Sequence, residues 1–183
     1  MIRRAAVFIL ATGIAAFGVT KGRDVSICLE GNADFPPGGL DFAANKASAI
    51  YYPIGVRLRW HVRPSCQTSH DLVRITIVDQ EPPDSPPDAL AYAYPYEGRH
   101  VLVMYPRVRR LECYCERNPA LGYVLAHEIA HVLEGISRHS ESGILKAHWE
   151  RADYEAMLNG SLWFAKEDVS LIQLGLNTLL VRR

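Results

Sequence analysis

The strongest constraint on this chain is the segment Ala120-Leu-Gly-Tyr-Val-Leu-Ala-His-Glu-Ile-Ala-His-Val-Leu-Glu134, which has almost no polar side. Asn118 and Pro119 before it make a helix start, a capping residue followed by proline at the first helical position. Gly135 makes the matching stop. The pattern predicts a long helix from about Pro119 to Gly135. Leu121, Val124, Leu125, Ile129, Val132 and Leu133 cover one side, and Gly122, Ala126 and Ala130 cover another. A helix that is apolar all round belongs inside a domain. Its only charged or imidazole-bearing side chains are His127, Glu128, His131 and Glu134, and polar groups buried there need partners.

His127 and His131 are four residues apart, so they stand one turn above the other on the same helix face. That spacing lets two imidazoles share one metal ion, with Glu128 beside them as candidate general base. Ordinary hydrogen bonds could also satisfy two buried histidines, but the downstream sequence favours a metal. Gly135 lets the chain leave the helix and turn back. His139 then arrives where a third nitrogen could complete a site of three protein ligands with an open position for water, a donor set that implies Zn2+. Glu150 and Glu155 compete as third ligands, the arrangement that resemblance to the gluzincins would imply. His139 is preferred because the run from Gly135 to Leu145 has a turn logic that the glutamates lack. Glu134 reads as a helix-end carboxylate near the site, and His148 as lining the cleft or facing solvent. His61, His70 and His100 are isolated and take ordinary strand or loop roles; Asp153 and Tyr154 receive none.

The remaining elements are predicted from shorter patterns. Val25–Leu29 is a first strand, and Asp41–Tyr52 an Ala-rich helix ended by Pro53. Arg57–Val62 alternates polar and apolar residues, and Leu72–Val78 is a β-branched strand. Glu81–Asp88 holds four prolines in eight residues, which makes it a stiff surface loop. Ala89–Tyr96 reads as a strand confined to a sheet edge by Pro95, and His100–Tyr105 as another. A final helix near Glu167–Val181 starts acidic and ends at Arg182-Arg183, matching the helix dipole. Val169, Ile172, Leu176 and Leu179/Leu180 mark its packing face.

At 183 residues with 49% apolar content, the chain suits one domain with a sizeable core. Its net charge of +0 argues against a nucleic-acid surface or a polybasic membrane patch. Arg3 and Arg4 precede an apolar run from Ala5 to Gly18, the pattern of a cleaved export signal. The run is shorter than the about 20 apolar residues a spanning helix needs. The expected division is therefore a signal at 1–18 and a single domain over 19–183. The mature chain, starting near Val19, would be secreted or periplasmic and not held by a membrane. Cys28, Cys66, Cys113 and Cys115 then suggest disulfides. Cys113 and Cys115 are too close to bridge each other easily, so each is expected to pair with Cys28 or Cys66.

The segment His127 to Leu145 resembles the metzincin zinc peptidases: an extended helix motif, a downstream histidine and a tight turn below the metal. The Pro-rich loop and the Ala89–Tyr96 strand are similar to the edge strand of matrixin-like members, and the element order fits the same domain over most of the mature chain. Two departures stand out. In the family pattern, glycine and histidine follow the second motif histidine by three and six residues. Here Glu134 and Ser137 hold those positions, with Gly135 and His139 one and two residues late. The turn residue, usually methionine, is Leu145.

The resemblance implies an α/β (α+β), zincin-like fold. Its parts would be a mixed twisted sheet of about five strands with an antiparallel edge strand, a long active-site helix and a C-terminal helix. It further implies a monomeric zinc endopeptidase with His127, His131 and His139 on the metal and Glu128 as base. The partner would be a peptide or protein substrate bound in extended form against the edge strand, with Ile144–Trp149 walling the specificity pocket. The rival readings are a non-catalytic exported domain of the same fold that binds zinc or a peptide, and a disulfide-stabilised exported domain without metal.

Overall fold

Val25, Ile27 and Leu29 alternate along the first strand and bury one face of it, the period-two pattern of a pleated strand packed on a core. The structure, a computed structural model, describes residues 22–62, 66, 72–94, 99–111 and 119–181. The apolar leader 1–18, Val19, His70, Pro95, Tyr96, Cys113, Cys115, Asn118 and Arg182-Arg183 lie outside the described residues, as do the side chains of Leu179 and Leu180.

Five strands form one sheet: β1 (Arg23–Gly31), β2 (Val56–Val62), β3 (Val73–Val78), β4 (Ala91–Tyr94) and β5 (His100–Met104), in the order β2-β1-β3-β5-β4. The β1/β2, β1/β3 and β3/β5 pairs are parallel, and β4 runs antiparallel to β5 at the edge. Parallel neighbours β1 and β2 need a crossover, which α1 (Gly39–Tyr51) supplies. This is the mixed sheet with an antiparallel edge that the sequence predicts. The edge strand is shorter than Ala89–Tyr96 among the described residues, since Ala89 and Leu90 precede the ladder.

The long helix, α3 (Ala120–Glu134), follows β5 and packs against α1 and β4. Every residue from Ala120 to Leu133 is buried, and each large apolar side chain so buried contributes about 1.5–3 kcal/mol. The first helical bond runs from the Tyr123 N–H to the Pro119 carbonyl. Gly135 closes the helix at φ 71° with its N–H on the His131 carbonyl, 3.0 Å away. Tyr51 ties α1 to α3, its hydroxyl donating to the Ala126 carbonyl at 2.9 Å. The C-terminal helix α5 (Lys166–Val181) lies against the far end of α3. A side chain at Gly175 would overlap the Leu133 carbonyl, so the two backbones approach as only glycine allows. Ile172 and Leu176 are buried in that contact and Val169 partly so.

Two helices lie where the sequence predicts none. Tyr105 begins α2 (Tyr105–Arg110) and does not end β5; Pro106 sits in the first turn of α2, the position proline favours. Between α3 and α5, where the sequence assigns no element, α4 (Arg151–Leu158) carries a capping box between Glu150 and Asp153. The disulfide expectation is also corrected. Cys28 bonds to Cys66, with Cα atoms 5.6 Å apart. Cys28 lies opposite His61 near the end of the parallel β1/β2 pair, and Cys66 Sγ lies 3.7 Å from the His61 carbonyl.

Candidate metal centre and cleft

The site is assembled from the C-terminal half of α3 and the chain that follows it. His127 and His131 are buried on α3, while His139 is exposed on the loop beyond Gly135. Each offers one ring nitrogen, and the three lie within 4.8 Å of one another. The Nε2 atoms of His127 and His131 are 3.0 Å apart. Ring centroids are 5.3 Å apart for His127 and His139 and 5.0 Å for His131 and His139. The sequence-predicted trio thus converges, including the histidine that arrives two residues late.

The competing glutamates are placed elsewhere. Glu150 is 80% exposed at the N-terminus of α4, within 3.5 Å of Lys146. Glu155, 60% exposed, pairs with Arg151 at 2.9 Å. Among the described residues the three histidines are the group able to hold a metal ion.

Burial decides the protonation states. It pushes the pKa of His127 down to about 3, with the neighbouring His131 adding to the shift against the opposing hydrogen bond that His127 donates to the Ile144 carbonyl. His131 falls to about 4 by burial and by the nearby His139, and His139 is lowered by burial and by His148. Three neutral imidazoles near neutral pH are the ligand form of histidine. The His127 tautomer is fixed as well: Nδ1–H donates to the Ile144 carbonyl at 2.8 Å, leaving the Nε2 lone pair pointing at the other two rings. These donors fit a tetrahedral ion with one position left for water.

Glu128 shares the cleft. Burial raises its carboxyl to about 8, against a hydrogen bond from the backbone of Ala93 on the edge strand. The cleft has a volume of about 440 Å³. Ala91 and Ala93 of β4 line one wall, and Lys146, His148 and Trp149 the other.

Residues beyond Gly135 hold the loop in place. The Ser140 N–H bonds the Leu145 carbonyl at 2.7 Å, and the Ile144 N–H bonds the Trp163 carbonyl at 3.1 Å. Gly143 sits at φ 79°, where a Cβ would press on Trp163. Leu145, standing where the metzincin pattern it resembles has methionine, is fully buried. Trp149 donates from Nε1 to the same Ile144 carbonyl at 3.1 Å and meets the His127 ring edge-on at 5.6 Å.

The sequence reading missed several contributors. Tyr154 lines the cleft beside Trp149. Asp153 accepts the Lys146 ammonium at 2.7 Å and the Glu150 N–H at 2.8 Å, and the Glu150-x-x-Asp153 spacing of a capping box is the sign that could have found it. Arg107 on α2 clamps the Pro-rich loop, donating to Glu81 and to the Pro86 and Ala89 carbonyls. His148 is exposed on the cleft wall, while His61 and His100 lie in strands, His100 bonded to Thr76. Glu134 ends α3 with its side chain fully buried and 3.9 Å from Arg138.

No protein-family model matches the chain, and no curated protein matches it. Among solved structures, it is similar to a crystal structure of archaemetzincin from Methanopyrus kandleri. The TM-score is 0.58 and the identity 15%, with 87% of this chain and 99% of that one covered. The likeness shows a fold shared with that protein, and the three-histidine group lies within it.

Proposed function

We propose that the chain is a zinc-dependent endopeptidase with His127, His131 and His139 as metal ligands and Glu128 as general base. The observation that carries this reading is the convergence of three neutral imidazoles beside a buried carboxylate, in a cleft walled by a sheet edge. Zinc, when bound, supplies the Lewis acid that polarises the scissile carbonyl and makes water acidic near neutral pH. The remaining chemistry belongs to the chain. Glu128 is held neutral by burial alone and is favoured in its ionised form by the charge of a bound zinc. The carboxylate accepts the proton of the attacking water, hydroxide adds to the carbonyl carbon, the C–N bond breaks, and the proton passes to the leaving amine. The β4 edge, antiparallel to β5 and bordering the cleft, suits an extended peptide added as a further strand.

The Cys28–Cys66 disulfide supports export to an oxidising compartment, consistent with a secreted or periplasmic monomer matured by signal removal. The deciding experiment pairs metal analysis with peptide cleavage. Stoichiometric zinc in the wild type, retained in Glu128→Gln while kcat/KM falls by about 10²–10⁴, is the expected result. Zinc without cleavage of any peptide in a broad library by the wild type would assign a binding module instead. A wild type that takes up no zinc would refute the metal centre.

A further inference from the structure

Asp168 is fully buried, in the first turn of α5 and far in sequence from the metal motif. Its Oδ2 accepts the Ala165 N–H at 3.1 Å, which caps α5. Its Oδ1 does something unrelated to capping. It accepts from Arg138 Nη2 at 2.8 Å and from the Ser140 hydroxyl, and Arg138 Nη1 reaches the same hydroxyl at 3.1 Å. One buried carboxylate oxygen therefore holds the residues immediately before and after His139.

The need for such a tether follows from the loop. The segment from His131 to His139 is two residues longer than the pattern it resembles, one of them beyond Gly135, and added loop length raises the entropic cost of bringing its end to a fixed point. His139 is itself exposed, so core packing does not orient it. The anchor, by contrast, is rigid. α5 is docked on α3 through Gly175, two turns beyond Asp168, against the Leu133 carbonyl. The position of Asp168 is therefore set relative to the helix that carries His127 and His131. Hydrogen bonds to a charged group are stronger than those between neutral groups, which favours one loop arrangement.

We propose that Asp168 is a positioning residue for the third ligand: through Arg138 and Ser140 it fixes His139 where its nitrogen meets those of His127 and His131. The proposal rests on the metal reading above and assigns a role to a residue that touches neither metal nor substrate. Outer partners of metal ligands typically change affinity by about 10–100-fold when lost, and that is the effect expected here.

The test uses the full chain and four variants: Asp168→Asn, Ser140→Ala, His139→Ala and the double variant Asp168→Asn/His139→Ala. Zinc affinity is read by chelator competition, ligand geometry from the visible spectrum of the cobalt-loaded protein, and stability by thermal unfolding with and without metal. Asp168→Asn and Ser140→Ala should each weaken zinc by about 10–100-fold and alter the cobalt bands. In the His139→Ala background, Asp168→Asn should cost no further affinity, because it acts only through that ligand. Ser140→Ala leaves the α5 cap intact and carries the test alone should Asp168→Asn fail to fold. Unchanged affinity, an equal loss with and without His139, or a loss of stability identical in apo and loaded protein would each overturn the proposal. A wild type that takes up neither zinc nor cobalt overturns the metal reading and this one together.

Discussion

His131 rides on a helix whose residues are buried from Ala120 to Leu133, whereas His139 stands eight residues later on a loop open to solvent. The first is placed by packing: α1, β4 and α5 all contact α3, and small shifts there cost core contacts. The second is placed by a few polar bonds at Arg138, Ser140 and Ile144. Packing tolerates almost no change in helix length or face, while a polar tether can accommodate a longer loop. This difference explains how the two-residue delay of His139 leaves the three nitrogens converged.

The comparison can be broken at several points, beginning with the largest effect. Replacing His127 or His131 by alanine should reduce bound zinc to background, while His139→Ala should weaken binding and leave it measurable by chelator competition. Equal, complete loss in all three would mean that the loop ligand is held as firmly as the helix pair. Gly175→Ala drives a methyl group into the Leu133 carbonyl and should destabilise the fold by about 1–3 kcal/mol in urea unfolding. Trp149→Phe removes one of two donors to the Ile144 carbonyl and should cost about 0.5–1.5 kcal/mol by the same measurement. Leu145→Met exchanges one apolar side chain for another in a fully buried position. Its volume is nearly conserved, so stability should change by less than about 1.5 kcal/mol and zinc affinity should stay as it was.

What the sequence made legible follows the same division. The α3 helix could be read from local signals alone: proline at its start, a continuous apolar surface and Gly135 at its end. β3 and the edge position of β4 were similarly local. The polar helix α4 has a single buried residue, Met157, and lacks the apolar stripe that reveals longer helices. The Cys28–Cys66 bond depends on strand register, and parallel register is set by long-range packing that no spacing rule encodes. The Asp168 contact joins residues 28 and 30 positions apart. The Ile144 partner of His127 is a backbone carbonyl, and every residue type carries one.

That carbonyl makes the helix motif dependent on a distant part of the chain. It has two lone pairs, and His127 and Trp149 take both. An isolated α3 peptide would contain both motif histidines and still leave the His127 ring free to rotate, because the group that orients it lies 17 residues downstream. The metal-ready geometry of the helix thus requires the chain downstream of it, whose Ile144 carbonyl beside the Gly143 turn holds the His127 ring.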